Sequence, residues 1–238
     1  MTLDFSWLGD PLYQQWLITG IGTTLLMSLL GILLMLAIGI VGALFLHFRI
    51  PVLETITTVL VELFRNTPPL VQLFFLYFML SSVGLSLTDP VTGRTVPLFS
   101  GFTCAVLSLG LYNGALAVEI IRSGLIGVPS QTVEGARSLG YTRFQTFRHV
   151  ELPIGLRLCM PAMTNNVVSL IKTSSQAALV AVADIMYGAT QIMVETFRNM
   201  EVMLLIWALY VVIASLVVVL MRRLTSMIRI PGYGVDQA

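Results

Sequence analysis

Few groups in this chain are able to do chemistry, and their spacing is informative. Asn165, Ser169 and Lys172 recur at intervals of four and three, which places them on one face of a helix. Ser174, Ser175 and Gln176 follow at about the same depth. That face offers hydrogen bonds and one positive charge, suited to a carboxylate; alternatively Lys172 snorkels or pairs with a helix C-terminus. Glu62 and Arg65 are three apart and share a helix face, either as a structural ion pair or as a contact for a small zwitterion. Asn113 and Glu119 admit the same two readings, packing or contact, while Glu119 with Arg122 suits the anchoring of a loop. Asp184 would cap a turn or meet an outside partner. Bond-making chemistry finds no footing. His47 and His149 are the only histidines, Cys104 and Cys159 sit in apolar surroundings as unpaired core residues, and no nucleophile or metal-ligand spacing accompanies them. No G-x-x-x-x-G-K-[ST] segment occurs, so the chain has no nucleotide site of its own. We expect no catalytic residue, no metal and no cofactor bound by this chain.

The elements that position these groups follow from composition. Of 238 residues, 56% are hydrophobic and 11% charged, with a mean hydropathy of +0.90. A soluble domain is about a quarter charged, so this is an integral membrane protein. The net charge of +1 says nothing by itself about nucleic acid, and no basic, aromatic-laced patch occurs, so no nucleic-acid partner is expected. No basic residue precedes the first apolar run, so no signal-peptide n-region is expected. A span needs about 20 apolar residues. Five are expected, at Trp16–Phe48, from Pro51 to Leu80, at Leu98–Ile121, at Leu158–Tyr187 and at Val202–Met221, the second broken at Thr67-Pro68-Pro69. Polar groups within such spans face the bundle interior or a cavity. Residues 1–17 then form an external leader, 18–221 the transmembrane domain and 222–238 a tail. Arginines 122, 137, 143, 148 and 157 crowd one connection, and Arg49, Arg222, Arg223 and Arg229 fall on its side. The opposite side has Asp4, Asp10, Asp89, Arg94, Glu195, Arg198 and Glu201. The positive-inside rule therefore predicts an external N-terminus and a cytoplasmic C-terminus.

The stretch VEGARSLGYTRFQTFRHVELP, Val133 to Pro153, stands apart. Ser130 caps a short helix over Gln131–Leu139, Gly140 takes the left-handed C-cap, and Thr142 with Gln145 boxes a second helix over Arg143–Val150 that Pro153 closes. Val133, Ala136 and Leu139, then Phe144, Phe147 and Val150, form apolar stripes. The pair either lies on lipid headgroups or docks a soluble protein against the small surface at Gly135-Ala136, with arginines at its rim.

Glu134-Gly135-Ala136, then Gly140, then Val150-Glu151-Leu152-Pro153 resembles the EAA signature of permease subunits of bacterial ABC importers, with Gly135 where the family usually has Ala. Thr19 to Leu25, Val61 to Gln72, Asn113 to Leu125 and Pro161 to Ser174 are similar, in family order, to segments of the polar amino-acid branch, with Asn66 and Pro69 as substitutions. These cover nearly the whole chain. The resemblance implies a five-helix, all-α, type I (MetI-like) permease with a cytoplasmic coupling loop at 122–157. It also implies a multi-pass protein of the bacterial inner membrane, a second permease subunit (identical or a sister chain), two cytoplasmic ATPases that use ATP and Mg, and an external solute-binding protein. ATPase coupling would fall on Glu134, Gly135, Ala136, Gly140, Arg143, Leu152 and Pro153. The substrate pathway would draw on Glu62, Arg65, Asn113, Asn165, Ser169, Lys172, Ser174 and Ser175.

Related permeases usually carry an acid or amide after the lysine, where this chain reads Lys172-Thr173-Ser174-Ser175. Without that neighbour the lysine charge is less compensated, which favours a carboxylate-bearing ligand, an acidic or amide amino acid among polar ones. The Ser81–Pro97 connection would receive the binding protein or serve as a passive connector. The competing class is an ion-coupled secondary amino-acid transporter. Such carriers are built on internal repeats with paired broken helices, and the breaks at Pro68-Pro69 and Lys172 do not correspond.

Overall fold

A computed structural model describes residues 3–88, 95–97 and 99–227. Asp89, Gly93, Arg94, Leu98 and Arg229, and the tail beyond 227, lie outside the described residues. Apart from their connecting turns, the described residues are helical except for a short antiparallel hairpin, β1 (Ser86–Thr88) and β2 (Thr95–Pro97). Among the described residues four helices are long and apolar enough to cross a membrane, and Pro69–Ser82 supplies a shorter fifth.

Helix α1 (Pro11–Phe48) begins inside the expected leader because Asp10 caps it, accepting from the Leu12 amide at 2.8 Å, and Pro11 is preset for the first turn. Its 38 residues measure about 57 Å. The second span is divided as expected into α2 (Pro51–Arg65) and α3 (Pro69–Ser82), since Pro68 and Pro69 cannot continue the ladder. Gln72 bridges the break, its side-chain amide donating to the Phe64 and Thr67 carbonyls at 2.7 and 3.1 Å. Ser100 caps α4 (Gly101–Ile126) by accepting from the Thr103 amide. Two short helices follow, α5 (Ser130–Ser138) and α6 (Arg143–Thr146).

Pro153 does not close this segment. A π-turn over Phe147–Glu151 carries α6 directly into α7 (Leu152–Thr173), widening the helix where the proline ring would otherwise meet a carbonyl. Nor does Ser130 cap α5: Pro129 holds the cap position and makes no side-chain bond, so Ser130 is the first helical residue. The fourth span is not continuous to Tyr187. It tightens to a 3₁₀ turn over Ser174–Val180, reverses at Ala181 (φ 58°) and restarts as α8 (Ile185–Thr196), capped by Asp184. Helix α9 (Asn199–Met227) runs through Arg222 and Arg223.

Helix α4 is the most enclosed long span and α9 the least. Contacts from Gly31–Leu109 to Gly42–Val118 show α1 and α4 running parallel, while α7 is antiparallel to both. A Cβ at Gly39 would lie 2.7 Å from that of Ala117, so this close approach requires glycine. Met27, Met35, Leu109 and Leu170 fill the core between these helices; Trp7, Ile185, Ile192 and Val202 fill a second one under α8 and α9. The α5 end of the bundle thus gathers the C-termini of α1, α4 and α9, and the hairpin end gathers the N-termini of the same helices.

Candidate functional site

Helix α5 ends in a Schellman turn. Gly140 sits at φ 89°, the Tyr141 amide reaches back to the Ala136 carbonyl at 3.2 Å, and the Gly140 amide bonds the Arg137 carbonyl at 2.9 Å. Directly after it, both halves of the capping box form: Gln145 N–H donates to the Thr142 hydroxyl oxygen, and the Thr142 amide donates to Gln145 Oε1 at 2.9 Å. This pair of caps makes a sharp, self-contained corner. It leaves Glu134, Gly135 and Gly140 on the open surface with Leu139 82% and Phe144 61% exposed. Ala136 and Phe147 are buried and hold the corner to the bundle. The expected coupling residues therefore divide. Arg143 turns back, its guanidinium 5.7 Å from the Phe48 ring centre, and half-buried Leu152 and Pro153 anchor the start of α7.

A contact invisible in the sequence lies beneath the corner. Glu151, buried in the π-turn, meets His47 at the end of α1, with Oε2 and Nε2 2.9 Å apart. Phe147 packs on both His47 and Phe48.

The expected pathway residues separate likewise. Asn165, Ser169 and Lys172 do share one face of α7, where Asn165 and Lys172 are exposed and Ser169 is half-buried. Ser175 joins them, its hydroxyl donating to the Lys172 carbonyl at 2.9 Å. Ser174 does not; it is buried on the opposite side and donates to the Ile171 carbonyl at 2.7 Å. Arg65 pairs with Glu119 of α4 and not with Glu62, and both partners are about two-fifths exposed (40% and 39%). Among the described residues neither Glu62 nor Arg122 forms an ion pair, and both are exposed.

Asn113 is a packing residue. It is fully buried, donates to the Leu109 carbonyl at 2.8 Å, and its own carbonyl accepts from Asn166 Nδ2 at 2.9 Å. The same Asn166 nitrogen lies 3.4 Å from Met35 Sδ, so one amide ties α7 to α4 and α1. The slot beside Asn113, between Ser108, Tyr112 and Thr173, has about 10 Å³ of room, at the threshold for one water. An amino acid does not fit there. Asp184, also fully buried, accepts from the Tyr187 amide at 2.8 Å as a cap, and Ile185 N–H donates to Thr24 of α1. Its other oxygen has no hydrogen-bond partner among the described residues, and the Tyr210 hydroxyl stands nearby, beside Thr24, Ser174 and Ser175.

A family model described as the binding-protein-dependent transport system inner membrane component matches residues 36–229. The chain is 32% identical over 215 residues to a probable amino-acid ABC transporter permease protein, PatM, of Vibrio harveyi, covering 88% of this chain and 89% of that one. It is 30% identical over 233 residues to the glutamine transport system permease protein GlnP of Escherichia coli (strain K12), covering 97% and 100%. Among solved structures, the fold superposes on that of an amino acid ABC transporter with histidines at a TM-score of 0.81, with 28% identity over 95% of this chain and all of the other. The inward-facing MetNI methionine ABC transporter shares the fold at a TM-score of 0.75 and 19% identity, covering 93% of this chain and all of that one.

Proposed function

The chain belongs to the binding-protein-dependent inner membrane permeases of amino-acid ABC importers, and from that premise we infer how it works in its complex. Two permease subunits form the pathway, identical or paired with a sister chain. A cytoplasmic ATPase, which binds ATP and Mg, docks on the α5 corner of each, and an external solute-binding protein delivers the amino acid to the hairpin end. The observation that carries this reading is the corner itself: Gly135 has no atom within 4 Å of where a Cβ would stand, beside the exposed Leu139 and Phe144. A small-surfaced knob with apolar neighbours is what a groove on a soluble partner can grip closely.

The arginines support placing this end in the cytoplasm. Arg122, Arg137, Arg143, Arg148, Arg157, Arg222 and Arg223 all belong to it, against Asp4, Asp10, Glu195, Arg198 and Glu201 at the other. ATP-driven closure of the ATPases would draw two α5 corners together and tip the bundles from inward-open to outward-open; hydrolysis would reset them. The ligand is a polar amino acid. Asn165, Ser169, Lys172 and Ser175 offer one open polar face, and Glu62 and Arg65 another, on helices whose polar exposure to lipid would cost several kcal/mol per charge. A second subunit covering those faces would enclose the path. Lys172 supplies the charge for a carboxylate, which supports acidic or amide amino acids.

Reconstitution in proteoliposomes with the ATPase and the binding protein tests this. Uptake of labelled glutamate, glutamine, arginine and leucine is expected only with enclosed ATP on the ATPase side, with the first two preferred. Uptake by the permease alone on a Na⁺ or proton gradient would establish the secondary-carrier reading instead.

A further inference from the structure

We propose that His47 is a positioning residue that carries the movement of the α5 corner into α1, through Glu151 and an aromatic box. The joint depends on the docking of an ATPase at α5 inferred above. Helix α7 receives that movement covalently, because α6 continues into it through the π-turn. Helix α4 receives it through Gly124 and Gly155, where a Cβ on either would collide with the other helix's backbone. Helix α1 does not continue from the corner as α7 does, yet it runs for 38 residues and packs along α4, α7 and α8. Its terminal turn meets the corner through His47 and Phe48. There His47 Nε2 lies 2.9 Å from Glu151 Oε2, the His47 and Phe147 rings are 5.0 Å apart, and the Phe48 and Phe147 rings are 5.1 Å apart. Arg143, from the first turn of α6, closes the box over Phe48.

Three features suit this joint to transmission. Phe147 and Glu151 both come from the π-turn, so they move with the corner and not with the middle of α7. Both are buried, so a rigid element holds them. Finally, α1 stops at once: Arg49 adopts the left-handed conformation (φ 52°), which a non-glycine residue keeps only where surrounding contacts over-determine it. The end of α1 is therefore clamped. Coupling between distant sites travels through packed elements of this kind.

The test uses the whole complex, permease with ATPase and binding protein, and reads two quantities: ATPase retained on purification, and amino acid imported per ATP hydrolysed. His47→Ala is expected to retain the ATPase while import per ATP falls about tenfold, within the usual range of coupling between sites. His47→Arg, which keeps an N–H donor facing Glu151, should recover most of that ratio. Should His47→Ala fail to fold, the near-isosteric Glu151→Gln carries the test with the same expected loss. A wild-type ratio in His47→Ala or Glu151→Gln, or a His47→Arg variant as impaired as His47→Ala, overturns the joint. Loss of docking appears separately, as absence of the ATPase from the purified complex, and bears on the corner rather than on His47.

Discussion

Gly135 gives the sharpest test of where force enters. A side chain at this position meets nothing within 4 Å, so Gly135→Arg introduces no clash inside the subunit. It should even favour the nine-residue α5, since glycine is about 1 kcal/mol worse than a good helix former in a helix interior. Gly124 is the opposite case, with the Gly155 carbonyl in the way of any Cβ. At a docked interface, a long side chain forced into a close contact costs about 1–3 kcal/mol. That weakens association about 5- to 150-fold. Gly135→Arg should therefore give a permease that inserts, purifies and melts at or slightly above the wild-type temperature, yet no longer retains its ATPase. Gly135→Ala, which keeps the knob small, should retain it. Normal co-purification of the ATPase with Gly135→Arg would refute docking at this corner, and a fall in melting temperature would refute the steric reasoning.

Asn166→Leu removes the amide that ties α7 to the Asn113 carbonyl; because that carbonyl lies within helix α4, the loss should be about 1 kcal/mol, read as a modest drop in detergent melting temperature. Glu119→Gln should cost no more than about 1 kcal/mol, because its pairing with Arg65 is about two-fifths exposed; a larger loss in the same assay would show that the pair is shielded. The leader should respond to acid. Hydrogen bonds from Ser6, backbone first, and the Arg198 guanidinium hold the Asp4 carboxyl below its ordinary 3.8. A lowered value stabilises the folded leader above the ordinary pKa and is lost as pH falls through the lowered one. Fluorescence of the buried Trp7 should thus stay constant from pH 7 down to about 4 and shift red only below that.

Much of the corner was legible because its signals are local. Gly140, Thr142 and Gln145 specify two caps whatever surrounds them, and Pro68-Pro69 breaks a helix by covalent geometry alone. Which side of each span faces inward was not legible. In a soluble protein the contrast between apolar and polar faces orients a helix, but here lipid and core are both apolar. Asn165 and Asn166 are chemically identical neighbours, and only packing against Met35 and Asn113 decides that the second is buried. Arg65 finds Glu119 across the bundle rather than Glu62 on its own helix, a choice made by the α2–α4 approach. Pro153 was ambiguous for a local reason: its ring can either end a helix or be accommodated by a widened turn before it, and a single proline does not say which.

The interruption between Val180 and Ile185 has its own consequence. The portions of the fourth span before and after this break meet at a pivot and grip α1 at separate places: the first through Asn166 on Met35, while also holding α4 through Asn166 and Gly155, the second through Thr24 and Gly20. The two portions need not swing together. Whatever tilts α1 drags α8 with it, so that end of the bundle answers to the first helix of the chain as well as to the helix that grows out of the corner.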